Sequence, residues 1–331
     1  MRIHNLRWSK KGVDLILKPT NLKEVLTIHD AKFIKQYDFS CGNKAPIFEV
    51  STMHALNQII GHAKFNNREY GHVFYRGQCE LYETLLPSLI RNNDPKKGPT
   101  SIKTATGSIA KQLKRVIDDD GLSNELQIGN DDDNIKKIKI EAILQHYGAP
   151  TRFIDLVDNH WIALWMGLYH IEKIKNLLTY YRYVERTIPY ADVIPVKLRT
   201  IQEKEIYQYI LLVAFPSGET KAPGVCETDK HIVVDLRQAL PSTFLRPHAQ
   251  HALVAKVKTN RMDVEKNYYD LAQNVVGIIR IRIDRAHNWV GAGQLLTPNN
   301  LFPPAAYDNG YDVLLSRTDL FDGCYSIARY I

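Results

Sequence analysis

Runs of β-branched and other apolar residues in the second half of the chain are the feature that most limits its fold. Pro and Gly separate these runs, which predict four strands at Ile210–Phe215, Ile232–Asp235, Leu253–Val257 and Val275–Ile283. Helical patterns are concentrated before them. Because helices come first and strands follow, the order predicts an α+β fold. We expect an N-terminal helical half packed on a mainly antiparallel sheet that the C-terminal half largely forms.

The clearest helix is predicted from Asn134, as its cap, to the residues just before Gly148. An apolar stripe runs along it, Gly148 stands where a C′ residue belongs, and Pro150 stops it. Further helices are predicted at 51–64, capped by Ser51 and with Met53 on its apolar face, at 108–118, at 160–176 and near 265–273. Trp161 and Trp165 are expected in the core. A loop is predicted over 92–106, and a short strand at Val73–Tyr75.

Composition limits the class of partner. The 331 residues carry 43 Lys and Arg against 36 Asp and Glu, a net charge of +7. This charge permits a nucleotide, a nucleic acid or a phosphorylated metabolite as partner but requires none. The longest apolar stretch, Trp161–Tyr169, is too short to cross a bilayer, and Asp14 and Lys18 interrupt the N-terminal apolar piece. We therefore expect no membrane partner and no secretory signal.

The cysteines and histidines give no metal-binding pattern. Cys41, Cys79, Cys226 and Cys324 lack metal-ligand spacing and are interpreted as free thiols of a cytoplasmic protein. His248 and His251 are three positions apart, as in some zinc sites, but no compact set of further ligands follows. No metal is expected.

Two i, i+2 pairs of basic residues could form a basic surface. Lys256 and Lys258 lie on one predicted strand, and Arg280 and Arg282 on another. If the strands are neighbours, the four side chains would face a polyanion. The alternative is an ordinary solvated sheet face.

Arg76 stands at the end of a predicted strand and is followed by Gly77. A guanidinium at a strand end, beside a Gly that permits close approach of backbone, is typical of a phosphate clamp. The alternative is an Arg paired with a nearby carboxylate. Both remain open at the level of sequence.

The stretch from Gln145 to Asp155 crowds polar and aromatic groups around a helix exit. In an extended segment, Thr151 and Asp155 would share one face, and Arg152 would lie on the other. A structural and a functional interpretation are both compatible with this block. Dinucleotide-fold dehydrogenases, P-loop NTPases, α/β-hydrolases and zincin proteases are disfavoured, because GxGxxG, Walker, GxSxG and HExxH motifs are absent.

Several blocks resemble the FRG domain family, named for its Phe/Tyr-Arg-Gly motif. The matching segments are 73–78, 85–91, 144–155, 159–163, 246–250 and 301–303. Pro304 stands where the family usually has Asp, and the expected Gly is displaced to Gly310. The resemblance predicts an FRG-like domain over 51–315. An extension of strands and loops over 1–50 would precede it, and a tail over 316–331 would pack on it.

Tyr75-Arg76-Gly77 also resembles the first-strand Arg motif of ADP-ribosyltransferases. The resemblance implies an NAD-consuming transferase or glycohydrolase, such as a toxin or antiviral effector in bacterial or phage conflict, with NAD as its substrate. Ser242-Thr243 with Gln250 is the nearest match to the further transferase motifs. The alternative is a non-catalytic module that senses a nucleotide, a nucleic acid or a protein partner.

The site residues implied by these resemblances divide into two groups. The catalytic candidates are His146, Asp155 and Gln250. The nucleotide-binding candidates are Tyr75, Arg76, Gly77, Gln78, Arg91, Gln145, Tyr147, Thr151 and Arg152. We predict that Arg76, His146, Arg152 and Gln250 converge in one cleft.

Overall fold

A computed structural model describes most of the chain. The described residues are 18–23, 27–91, 107, 110–111, 113–115, 117–175, 179–186, 206–258, 266–291, 296–317 and 327–330. The predicted loop over 92–106, the start of the N-terminal extension and Cys324 lie outside them. Of the helix predicted over 108–118, positions 110, 111, 113–115, 117 and 118 are described, and all of them except 118, which is a turn, are helical.

The strands form one large and one small sheet. In chain order they are β1 (Ala31–Asp38), β2 (Lys44–Val50), β3 (Gly71–Gln78), β4 (Ile154–Val157), β5 (Tyr169–Lys175), β6 (Thr179–Glu185), β7 (Tyr207–Pro216), β8 (Glu219–Ala222), β9 (Val225–Glu227), β10 (His231–Asp235), β11 (Ala252–Val257), β12 (Val275–Arg282) and β13 (Arg329–Tyr330). The ten-stranded sheet has the order β1-β2-β12-β7-β3-β4-β11-β10-β9-β8, and the small sheet has the order β13-β6-β5.

The strand arrangement confirms the α+β prediction. All four β-branched runs are strands, namely β7, β10, β11 and β12, and the predicted strand at Val73–Tyr75 is the middle of β3. Within the described part of the large sheet, β2 and β12 are parallel and the other neighbours are antiparallel. The N-terminal half is less helical than predicted, because β1 to β4 come from it. β1 and β2, from the segment predicted as an N-terminal extension, are strands of this sheet.

The helices are mostly short. They are α1 (Met53–Asn66), α2 (Ser88–Arg91), α3 (Asp120–Glu125), α4 (Asp133–His146), α5 (His160–Leu168), α6 (Leu236–Ala239), α7 (Leu245–Ala249), α8 (Ile283–Trp289), α9 (Pro298–Leu301) and α10 (Asn309–Ser316). The predicted helix near 265–273 is instead two 3₁₀ turns, Lys266–Tyr269 and Leu271–Asn274. Asp270 interrupts them, because its side chain accepts hydrogen bonds from the backbone of Ala272 and Leu85.

The two longest helices differ from prediction in their caps. Thr52 caps α1 in place of Ser51, and Met53 is exposed, outside the buried face. Asp132 caps α4 in place of Asn134 by accepting from two backbone N–H groups. The predicted exit of α4 is confirmed, since Gly148 has a positive φ of 92° directly after it.

Helix α5 ends at Leu168, eight residues earlier than predicted. The chain continues as β5 because Tyr169–Lys175 pairs along its whole length with β6. This pairing satisfies backbone groups that a longer helix would have bonded internally. Trp165 is fully buried, as predicted, whereas Trp161 is only partly buried.

The helices cover the large sheet in two groups. Helices α1 and α5 pack with β2, β3, β7 and β12 around Trp165, and α4 packs with β10 and β11 around Phe153. Among the described residues, no helix combines the length and apolar character needed to cross a membrane.

Candidate functional site

A cavity of about 390 Å³ lies where β3 and β4 meet the end of α4. Its volume is in the range of small-molecule sites. Eight of the twelve predicted site residues line it, namely Tyr75, Arg76, Gly77, Arg91, Gln145, His146, Asp155 and Gln250. The prediction of one shared cleft is therefore confirmed for Arg76, His146 and Gln250.

His146 is the last residue of α4 and lines this cavity. Gly148 turns the chain, and the Gly148 and Ala149 amides donate to the carbonyls of Gln145 and Leu144. A Cβ at Gly148 would lie 2.5 Å from Ala328 Cβ, in a backbone conformation that L-residues rarely adopt. Gly148 is therefore required both by its turn and by the C-terminal segment packed on it.

Gly77 allows close packing between β3 and α5. A Cβ on this residue would lie 1.8 Å from the carbonyl oxygen of Ala163, in α5. The Gly after Arg76 thus lets α5 approach β3. Gly77 lines the cavity, but the backbone that approaches it closely is that of α5.

Arg76 is partly buried and extends along β4. Its Nη1 donates to the backbone carbonyl of Asp155 at 2.6 Å, and its buried Nε has no partner among the described residues. Burial lowers the pKa of Arg76, the Asp155 charge opposes this effect, and the Arg91 charge adds to it. Arg76 thus bonds a backbone oxygen, and within 4.0 Å it has no carboxylate partner in the part of the chain described.

His146 and Asp155 face each other with free polar atoms. His146 Nδ1 lies 3.7 Å from Asp155 Oδ1, and neither His146 Nε2 nor Asp155 Oδ1 has a hydrogen-bond partner in the described segments. Burial lowers the pKa of His146 despite the nearby carboxylate. Burial alone would raise the pKa of Asp155, but His146, Arg76 and Gln145 outweigh it and lower that pKa. The pair at neutral pH is an ionised carboxylate beside a neutral imidazole.

Gln145 and Thr151 hold the Asp155 carboxylate in place. Gln145 Nε2 donates to Asp155 Oδ2 at 2.7 Å, and Thr151 Oγ1 donates to Gln145 Oε1 at 2.6 Å. Thr151 is fully buried behind the cavity wall. Thr151 therefore positions Gln145 and does not line the cavity as a binding residue.

The prediction that Arg152 joins the cavity is wrong. Arg152 donates to both oxygens of buried Glu141, at 2.8 and 2.6 Å, and Lys256 Nζ lies 2.8 Å from Glu141 Oε2. We call these three residues the Glu141 triad. Alternation along the extended segment explains the result, because Arg152 lies on the opposite face from Thr151 and Asp155.

Two further predicted binding residues, Tyr147 and Gln78, also lie outside the cavity lining. Tyr147 is fully buried and its hydroxyl donates to Asp308 Oδ2 at 2.7 Å, while Gln78 is buried. Gln250 does line the cavity, but its Nε2 donates to the Leu301 carbonyl at 2.6 Å. Ser242 and Thr243 are exposed and do not line the cavity.

The aromatic wall of the cavity and the position of Arg246 in the cavity were not predicted from the sequence. The rings that were missed are Tyr169, Tyr181, Tyr183, Phe302 and Tyr330, which line the cavity together with the predicted Tyr75. Tyr183 stacks on Phe302 at 3.9 Å and on Tyr330 at 5.6 Å. Tyr181 and Tyr183 alternate on one strand, which could have indicated a shared face.

The basic surface predicted from two strands does not form. β11 and β12 are separated by β4, β3 and β7. Each of the four basic side chains pairs with a carboxylate: Lys256 with Glu141, Lys258 with Glu227, Arg280 with Glu49 and Arg282 with Asp284. Cys41, Cys79 and Cys226 are free thiols.

Comparison with known families identifies one region of the chain. The FRG domain model matches residues 71–175, about a third of the sequence. No curated protein and no solved structure matches the chain significantly. The matched region contains Arg76, His146 and Asp155, whereas Arg246, Gln250 and Tyr330 come from beyond it. The chain thus contains an FRG domain, and the cavity combines that domain's polar residues with side chains from later in the sequence.

Proposed function

We propose that the cavity binds NAD and that its nicotinamide–ribose bond is broken there. The observation that carries the proposal is the Asp155 carboxylate, with one oxygen free of partners in the described residues, beside His146 in a cavity walled by tyrosines. The reaction of NAD with water would give ADP-ribose, nicotinamide and a proton. A protein acceptor in place of water would make the same step an ADP-ribosyl transfer.

The cavity wall suits both parts of a nucleotide. Aromatic rings offer faces on which a base or a nicotinamide ring stacks. Arg76 and Arg91 supply guanidinium groups, which bind phosphate through paired N–H donors. A combination of rings and guanidinium groups favours a nucleotide over a simple sugar or a peptide.

The Asp155–His146 pair suits the chemical step. Cleavage of a nicotinamide–ribose bond passes through an oxocarbenium-like state, and a fixed anion stabilises its positive charge. The lowered pKa of Asp155 keeps that anion available at neutral pH. The lowered pKa of His146 leaves a neutral imidazole that can accept a hydrogen bond from a ribose hydroxyl.

One observation favours a second candidate, a nucleotide-binding module without catalysis. Gln250 donates its amide to Leu301, and Asp155 Oδ2 accepts from Gln145, so two of the three predicted catalytic side chains are engaged by the protein itself. A polynucleotide ligand is disfavoured, because the four basic side chains considered for it are paired with carboxylates. A cytoplasmic location remains a prediction from the cysteines, and a role in bacterial or phage conflict remains a prediction of the resemblance.

The test is calorimetric titration of the purified protein with NAD, ADP-ribose and ADP, together with measurement of released nicotinamide. Binding of NAD with release of nicotinamide supports the first proposal. Binding without release supports the second candidate. Failure of all three nucleotides to bind overturns both.

A further inference from the structure

We infer that Arg246 is the principal anion-binding residue of the cavity, and that a phosphate or pyrophosphate group of the ligand docks against its guanidinium. This inference deepens the proposed function and rests on it for the nucleotide class of ligand. The main anion contact is thereby assigned to a residue on α7, whereas the sequence motifs had indicated Arg76 on β3.

Arg246 is buried without a counterion among the described residues. It is 3% exposed and lines the cavity. In the described segments no carboxylate lies within ion-pair distance of its guanidinium, and its buried Nε has no hydrogen-bond partner. A buried guanidinium costs free energy unless an anion or acceptor meets it. A bound anion would satisfy this requirement.

The neighbouring carboxylate, that of Asp308, is already hydrogen-bonded by other groups. Asp308 accepts hydrogen bonds from the backbone N–H groups of Leu245, Arg246 and Tyr311, and from the Tyr147 hydroxyl at 2.7 Å. These four donors account for the lone pairs of a carboxylate. Asp308 therefore fixes the backbone of Arg246 and leaves its guanidinium for another partner.

The Arg246 guanidinium lies over two aromatic rings. Arg246 Cζ lies 4.3 Å from the ring centre of Phe302 and 4.2 Å from that of Tyr330. Such contacts stabilise a cation without using its N–H donors, which point outward in the guanidinium plane. Burial opposes the charge of Arg246, but the surrounding tyrosines outweigh burial and raise its pKa. The result is a preorganised cation that hydrogen-bonds Tyr330 and whose Nε has no partner among the described residues, so that this donor is left for an oxyanion.

The test uses inorganic pyrophosphate and ADP as probes, by calorimetry and by the rise in melting temperature on binding. Arg246→Met should weaken binding of both by about 100-fold or more, the loss expected when one member of a buried charge pair is truncated. Without ligand, this variant should melt at or above the wild-type temperature, because it removes a buried unpaired charge. Arg280→Met, on β12 and outside the cavity lining, is the matched control and should bind as the wild type does.

Arg246→Lys tests the geometry if Arg246→Met does not fold. Lysine keeps the charge but lacks the planar pair of donors, so we expect about tenfold weaker binding of pyrophosphate. Wild-type affinity in either variant, or a folded wild type that binds neither probe, overturns the inference. NAD binding that is insensitive to Arg246 would overturn it and leave the proposed function intact. Arg246-dependent binding of pyrophosphate without binding of any nucleotide would support it and refute the proposed function.

Discussion

Two charge clusters arise from the same stretch of chain, and they differ in how completely their charges are matched. In the Glu141 triad, both carboxylate oxygens are bonded by cations at 2.6 to 2.8 Å. In the cavity, His146 and Asp155 stand 3.7 Å apart, with one free polar atom on each in the described part of the chain. Arg152 and Asp155 are three residues apart, yet one belongs to each cluster.

The difference between the two clusters indicates which polar residues are available to a ligand. A buried charge whose neighbours already bond it stabilises the fold and has little left for binding. A polar group that is held in place but lacks a hydrogen-bond partner can form that hydrogen bond with a ligand. The triad is accordingly interpreted as structural and the cavity as functional, and variants should separate the two.

The largest expected effect is on stability, from Glu141→Gln. This change leaves buried Lys256 and partly buried Arg152 without their shared anion and should lower the free energy of unfolding by about 3–5 kcal/mol. Urea denaturation measures it. Glu49→Gln is the control, because the Glu49–Arg280 pair is more exposed and should contribute only about 0–1 kcal/mol. Equal losses in the two variants would contradict the structural role of the triad.

Acid should reduce the contribution of the Glu141 triad to the free energy of unfolding in a defined pH range. Burial alone would raise the pKa of Glu141, but Lys256 and Arg152 outweigh it and lower that pKa to about 2, from the ordinary 4.5. Because the folded-state pKa is lowered, the stabilisation is fully present above about pH 4.5 and is lost as the pH falls toward 2. The lowered pKa corresponds to about 3 kcal/mol at 1.36 kcal/mol per unit.

The measurement is the free energy of unfolding of the wild type and of Glu141→Gln between pH 2.5 and pH 6. The difference between the two proteins should shrink as the pH falls. A difference that stays constant across this range would show that Glu141 does not act through its charge.

The next effect is on activity, from Asp155→Asn. The change removes the anion and retains the size of the side chain, so we expect nicotinamide release to fall about 100-fold. The free energy of unfolding should change by only about 1 kcal/mol. Asp158→Asn, on a partly exposed aspartate that pairs with Arg237 outside the cavity lining, is the control and should leave release unchanged. Unchanged release in Asp155→Asn would exclude Asp155 from the chemistry.

The smallest effect is expected from Arg76→Lys. Lysine can still reach the Asp155 carbonyl but cannot supply the second donor of the guanidinium plane, so NAD affinity should fall about tenfold. Arg76→Ala should be only slightly worse. Calorimetry with Arg280→Lys as control measures both, and wild-type affinity in Arg76→Lys would mean that Arg76 only ties β3 to β4.

The site could be predicted only in part. The motif residues Arg76, His146 and Asp155 were identified because polar groups beside Gly and Pro stand out in sequence. Arg152, three residues before Asp155, was misassigned, because nothing in the sequence indicates that its partner Glu141 is buried together with Lys256, from a strand about a hundred positions later. Tyr330 was missed, since nothing near it in sequence indicates that β13 pairs with β6 and brings its ring to Arg246.

What the sequence determined by itself is the set of local elements: the strands made of β-branched runs, and the helix that ends before Gly148. Their signals are caps, periodicity and turn residues, which act between near neighbours in the chain. Tertiary structure decided the rest. It made Tyr169–Lys175 a strand, placed β11 four positions away from β12 in the sheet, and divided the charges of residues 141–155 between a closed triad and an open cavity. The physical reason is that strand pairing and ion pairing depend on contacts with segments that are distant in sequence. Local sequence does not show which of those segments will be the partner.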